Sequence, residues 1–291
     1  MTTLSDLRAD AEAIARQLPG LTLSAAAADV IHPGAAGRRR AGSGEQFWQY
    51  RRYAQTDAAD RIDWRRSARG DEYFVRETEL ETARTILFWS DPHAGFDWSG
   101  ETSRETKATR AKVLMLALGT VLAKSGERVG VLGSGRTPSL GKGAADRLAE
   151  GLIKSATGTP TDALMPPKSS ALAVIASDFY DPIATWQARL MPLATKCKDG
   201  VLLAISDPIE HDFPYTGRTK FTRPGTGLDR IFGRAETVRG DYLARFKAHE
   251  LALAHLAASM GWAVVKHRTD TPAIRGAAAL QLALQGFGAK A

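Results

Sequence analysis

The sequence predicts an α/β protein, a mostly parallel sheet with helices on both faces, preceded by an arginine-rich segment. Three observations lead there. From about residue 83, short apolar runs alternate with longer stretches of helical periodicity, as βαβ units require. Residues 37–76 hold ten arginines, six acids and no lysine, a composition unlike the rest of the chain. The chain has 291 residues, 44% of them hydrophobic, enough to bury a sizeable core.

The elements follow in order. Leu4, Leu7, Ala11, Ile14 and Leu18 recur at helical spacing, so residues 4–18 read as an amphipathic helix that Pro19-Gly20 ends. An alanine run at 25–28 and His32-Pro33-Gly34 make a spacer, which closes a first segment at residues 1–36. The arginine-rich segment occupies 37–82. Arginine makes planar, bidentate bonds to carboxylates and tolerates burial better than lysine, so an Arg/Asp mixture without lysine points to a fixed ion-pair network.

The α/β body covers 83–288. Its strands read as 85–89, 128–132, 172–176, 201–205 and 262–266. Its helices read as 107–124, 144–155, 182–194, 241–259 and about 271–285. In the first of these helices Val113, Leu114, Ala117, Leu118 and Val121 share one side. No internal repeat is visible.

Composition excludes several classes. The net charge of +7 is a mild excess, and neither zinc spacing nor a recognition-helix signature accompanies it, so no nucleic-acid partner is expected. Cys197 is the single cysteine, which rules out an internal disulfide and suits a reducing compartment. No apolar run reaches the roughly 18 residues a membrane crossing needs. Asp6, Asp10 and Glu12 interrupt the apolar start, unlike a signal peptide. A soluble, cytoplasmic protein is expected.

Ligands of open parallel sheets gather at the carboxyl ends of the strands. There the chain places Ser90-Asp91-Pro92-His93-Ala94-Gly95 and Ser177-Asp178. Two such carboxylates could share a hard divalent cation, although the plainer reading has each Asp capping the backbone that follows it. Other motifs are decoys. The glycine-rich run at 133–143 lacks the spacing of a phosphate loop, and Gly143 stands where the magnesium-binding hydroxyl belongs. His249 and His255, six residues apart on a helix, point to different faces. Asp207, Glu210, His211 and Asp212 read as a solvated loop. Cys197 lies between Lys196 and Lys198, which could lower its pKa, but an inert thiol is the plainer expectation.

The run Gly42-Ser43-Gly44, Phe47, Tyr50-Arg51-Arg52-Tyr53, Asp57, Asp60-Arg61-Ile62-Asp63-Trp64-Arg65-Arg66-Ser67-Ala68-Arg69 and Val75-Arg76-Glu77 resembles the bacterial "domain of unknown function 58" family. The resemblance implies a von Willebrand factor A-like, doubly wound fold after this signature. It also implies association with MoxR-type AAA+ ATPases that mature or assemble other proteins. Family members often carry transmembrane helices before the signature, and this chain reads as a soluble branch.

The family's first metal motif, Asp-x-Ser-x-Ser, aligns with Asp91 to Gly95. Here His93 and Gly95 replace both serines, while Ser177-Asp178 matches the third motif. A threonine from the intervening loop could be Thr157, Thr159 or Thr161. The resemblance therefore implies a degenerate site at Asp91, His93 and Asp178. Tight magnesium binding is not expected; Asp91 and Asp178 could still hold a divalent cation weakly when a partner carboxylate completes the shell, and His93 suits a softer metal. No other cofactor is expected.

Within the signature, Arg52, Asp57, Arg61, Asp63, Trp64, Arg65, Arg69 and Arg76 stand out. They read first as structure, with Asp57, Asp60 and Asp63 fixing arginines and with Ile62 and Trp64 as core anchors. They read second as a docking surface. The leading function is a non-enzymatic adaptor for a MoxR-type AAA+ ATPase and an unidentified client protein. The alternatives are a hydrolase using a metal at Asp91, His93 and Asp178, and a charge-driven binder of membranes or nucleic acid, whose affinity would fall steeply with salt.

Overall fold

In a computed structural model of the chain, residues 3–20, 41–54, 62–68, 72–79, 83–155, 167–168, 170–224 and 227–288 are described. Thr157, Thr159, Thr161, Asp57, Asp60, Arg61 and Arg69 lie outside them. The chain divides into two compact units, one of Met1–Leu23 with Arg84–Lys290, the other of Ser24–Ala83.

The smaller unit is an antiparallel pair, β1 (Ala41–Arg52) and β2 (Phe74–Glu79), with a short helix α2 (Trp64–Ser67) between them in sequence. The signature core supplies the turn. Ile62 bridges Val75, and the Asp63 side chain caps α2 by accepting from Arg66 N at 3.0 Å. The Ser67 hydroxyl donates to Asp63 O and accepts from Phe74 N, both at 2.9 Å. Trp64 is not the core anchor expected of it: it is 62% exposed, its ring edge-on to Tyr73. It stands at the start of a four-residue helix, too short to bury a side chain of its size by itself. Arg52 pairs with Glu72 at 2.9 Å, both largely exposed, so this bond orders the surface more than it stabilises it.

The larger unit is built on five parallel strands in the order β4-β3-β5-β6-β9. These are β3 (Thr85–Ser90), β4 (Arg128–Val131), β5 (Leu172–Ser177), β6 (Gly200–Ser206) and β9 (Ala263–Arg268). The antiparallel hairpin of β7 (Thr219–Arg223) and β8 (Leu228–Phe232) is separate. Strand alternation sorts the core into two faces. Ile86, Phe88, Val174, Leu203 and Val265 face one cluster, formed with α1 (Leu4–Ala15), α3 (Lys107–Lys124), α4 (Ala144–Ser155) and α8 (Ala273–Gly288). Leu87, Ala173, Ile175 and Leu202 face the other, with α5 (Ile183–Ala194) and α7 (Arg239–Ser259). This is an α/β fold, consistent with a von Willebrand factor A-like doubly wound sheet.

The first helix belongs to this unit: Leu7, Ala11, Ile14 and Ala15 are buried in the α3 cluster, and Arg8 pairs with Asp146 of α4. The glycine-rich run folds back on the sheet edge, where Val129 and Ser139 form an antiparallel bridge. Gly200 is required where it stands, because a Cβ there would lie 2.4 Å from the Trp262 ring. Cys197 is fully buried, and burial pushes its thiol up to about 11, which makes it inert despite its lysine neighbours.

One buried histidine makes stability pH-dependent. His267 on β9 is 5% exposed, and Arg110 of α3 donates to its Nε2 at 2.8 Å. Burial and the Arg110 charge depress its pKa from 6.5 to about 4. Between those values the unfolded chain binds the extra proton, so stability falls as pH drops through that window and levels below it. We expect His267→Gln to remove about 2 kcal/mol of the stability lost between about pH 7 and pH 5. Urea unfolding at both pH values measures this, and an unchanged difference would sink the assignment.

Candidate functional site

The strand order reverses beside β3. The chain passes from β3 to β4 on one side, then returns to place β5 on the other. A crevice opens at such a switch point, outside the carboxyl ends of the strands. Here the crevice receives Asp91 from the end of β3 and Ser177-Asp178 from the end of β5. Asp91 N donates to Ala176 O at 2.8 Å, which extends the strand pairing and sets Asp91 against Ser177.

The two aspartates have different partners. Asp91 accepts from Ser177 Oγ at 2.6 Å and from His93 N at 2.9 Å. Burial holds its carboxyl above the usual range, and these two bonds only partly offset that. Asp178 accepts from Lys107 Nζ at 2.8 Å and from Tyr180 N at 3.2 Å. His93 turns its Nδ1 inward to accept from Gly95 N at 3.0 Å. The structure thus brings Asp91 and Asp178 to one crevice but bonds each to a different group, and His93 to its own loop.

Two more residues complete the crevice floor: Lys107, which sequence reasoning did not single out, and Glu210, which it read as part of a solvated loop. Lys107 is the first residue of α3, whose N-cap Thr106 accepts from Thr109 N. Lys107 is 1% exposed, and its ammonium bridges Asp178 and Glu210, the latter at 2.6 Å. Burial opposes the charge on Lys107, but the two carboxylates outweigh it and raise its pKa above the ordinary lysine value. Glu210 also accepts from Tyr180 Oη at 2.9 Å and from Asp207 N at 2.7 Å. Burial raises its pKa, with Lys107 pulling the other way.

Glu210 lies in α6 (Pro208–Asp212), so the expected solvated loop at 207–212 is corrected to a helix with a fully buried N-cap, Asp207. The signal was legible: Asp207-Pro208-Ile209-Glu210 is a capping box with proline at the first helical position.

A divalent ion does not fit this donor set. Hard cations take six or more oxygen ligands, and each carboxylate oxygen here already accepts a hydrogen bond from Ser177, the backbone, Tyr180 or Lys107. An ion at Asp178 would also meet the ammonium. At about 4 Å and an effective dielectric of about 20, the repulsion is roughly 8 kcal/mol. Among the described residues no group of three or more His, Cys, Asp or Glu is arranged to hold a metal ion.

Above this floor lies a pocket of about 830 Å³. Its wall is aromatic. Phe213 stacks on Phe221 at 5.7 Å and tilts against Tyr242 at 4.7 Å, while Tyr215 and Phe232 stand edge-on to Phe221. The hairpin β7–β8, which sequence reasoning missed, supplies Phe221 and Phe232. Its turn composition, Pro224-Gly225-Thr226-Gly227, was the available signal. Arg223, Arg230 and Arg245 also line the pocket, with Arg230 lying over the Phe232 ring. Phe179 and Phe213 hold positive φ angles of 58° and 43° in the turns after β5 and α6. Such backbone costs of order 1–3 kcal/mol each and persists where surrounding structure imposes it. Ser206 and His211, 2.7 Å apart, do not line the pocket.

Residues 49–252, well over half of the chain, match the model of a protein family described as "Protein of unknown function DUF58". No curated protein matches significantly, and no solved structure does.

Proposed function

The chain belongs to the DUF58 family of proteins of unknown function, and from that premise we propose that it is a non-enzymatic interaction module that offers its strand-end pocket to a protein partner. The partner proposed is a MoxR-type AAA+ ATPase, and the work is the assembly or maturation of a client protein. The pocket carries the proposal. Its polar floor is closed on itself through Lys107, Asp178, Glu210 and Tyr180, which leaves contact area rather than a reacting group. Its wall and rim are tyrosine, phenylalanine and arginine, and tyrosine and arginine are prominent among residues that anchor protein interfaces. A cytoplasmic location goes with it. Among the described residues no helix is long and apolar enough to cross a membrane.

The test is retrieval of a tagged full-length chain from its native host, with ATP and magnesium present. An AAA+ ATPase should co-purify. The double variant Arg230→Glu/Arg245→Glu changes two exposed side chains and should weaken recovery roughly tenfold, about 1.4 kcal/mol. Undiminished recovery would move the contact off the pocket and onto the arginine-rich unit. Absence of any ATPase would end the proposal.

A further inference from the structure

Asp178 and Glu210 come from different elements and converge on one point of the crevice, and what meets them there is an amine. Lys107 reaches Asp178 across 71 residues of sequence and Glu210 across 103. Its ammonium lies 5.0 Å from the Tyr180 ring and 5.5 Å from the Trp98 ring. Two carboxylate oxygens and two aromatic faces are surroundings that any cation would favour. Lysine is among the side chains least often fully buried, and it is retained in such a position only when paired. Without it, two carboxylates would face each other in a crevice with little access to water, and another positive charge would be needed to hold them.

We propose that the Lys107 ammonium is a built-in counter-ion, standing where a divalent cation would otherwise neutralise Asp178 and Glu210, so that this site needs no metal. The residue types support it. The cation arrives on the first turn of α3, the helix that follows β3, and so reaches the switch point by the course of the chain. Its two ion pairs tie the start of α3 to the end of β5 and to α6 through one atom, Nζ. Asp91 is left out of that charge pair and satisfied separately by Ser177 and His93. A metal would make the floor of the pocket dependent on ion supply; a covalently attached ammonium keeps it assembled in any divalent concentration. None of this depends on which partner the pocket receives.

The experiment uses the full chain. Mn²⁺ is titrated into wild-type protein stripped with EDTA and followed by electron paramagnetic resonance, and thermal unfolding is recorded with and without Mn²⁺, Mg²⁺ and Ca²⁺. The wild type should show no saturable binding and no shift in midpoint. Lys107→Ser removes the charge and opens space beside Asp178 and Glu210. It should unfold at lower temperature in EDTA, and Mn²⁺ should return about 5 °C or more at roughly a hundredfold excess over its Kd. A variant that refolds only with the ion present counts the same way. Saturable Mn²⁺ binding by the wild type that Asp178→Asn abolishes would overturn the proposal. So would a Lys107→Ser chain as stable as wild type, or one whose lost stability no divalent cation restores.

Discussion

Replacing Asp207 by alanine is expected to lower the unfolding free energy by about 3–5 kcal/mol, the cost of removing one partner from a buried ion pair. Total stabilities of single domains run to about 5–15 kcal/mol, so the variant would be marginal. Asp207 is fully buried, and its carboxylate is the meeting point of three segments. It accepts from Ile209 N at 3.0 Å, which starts α6, and from Gly100 N at 3.1 Å. Arg104 Nη1 reaches both its oxygens at 3.2 Å, and Thr269 Oγ1 approaches at 3.4 Å from beyond β9. Alanine would leave the mostly buried Arg104 with Glu101 as its one remaining ion partner among the described residues.

Asparagine keeps the shape but offers one acceptor oxygen and a donor that faces donors, so Asp207→Asn should lose about 2–3 kcal/mol. A cycle with Arg104→Met separates the terms. The double variant should cost less than the sum of the singles, because each single strands the other's partner. Urea unfolding measures all four chains. A loss below about 1 kcal/mol for Asp207→Ala would mean that the carboxylate does not hold these segments together. Because Glu210 accepts from Asp207 N, the same variant should also disturb the cage around Lys107.

How far the sequence carried can be read from these residues. The helices at 107–124 and 144–155 were legible to their ends, because apolar periodicity and the turns between elements agree there. The strands were legible as apolar runs because both faces of the sheet are covered, and Asp91 and Asp178, read at the ends of two of them, both line the pocket. The hairpin β7–β8 was not legible, since its strands are five residues long and mostly exposed and carry no apolar run. Trp64 looked like core because tryptophan usually is, yet exposure depends on what covers it, which no local pattern states. Lys107 was hidden for a stronger reason. Its partners lie 71 and 103 residues away, so that only the assembled sheet reveals that an ordinary helix-start lysine is the charge at the centre of the site.

Trp186 is the second place where a single change should have a large effect, and two variants make its packing and its polar atom separable. The side chain is 1% exposed on α5, 4.7 Å from the Phe179 ring, with the Arg189 guanidinium 5.0 Å over its face. It belongs to the cluster that joins α5 and α7 to the sheet, and it also lines the pocket. Trp186→Ala should cost about 3–5 kcal/mol, the range for emptying a large aromatic from a core. Its Nε1–H is buried and finds no acceptor among the described residues. A stranded donor costs about 1–3 kcal/mol, so Trp186→Phe removes that penalty while it gives up part of the ring. The two effects oppose, and the phenylalanine variant should lie within about 1 kcal/mol of wild type. If phenylalanine instead costs as much as alanine, the indole N–H is bonded in solution. Its acceptor would then be a buried water or a group bound in the pocket. Repeating both measurements after exhaustive dialysis distinguishes these: a buried water leaves the deficit unchanged, whereas loss of a group bound in the pocket abolishes it.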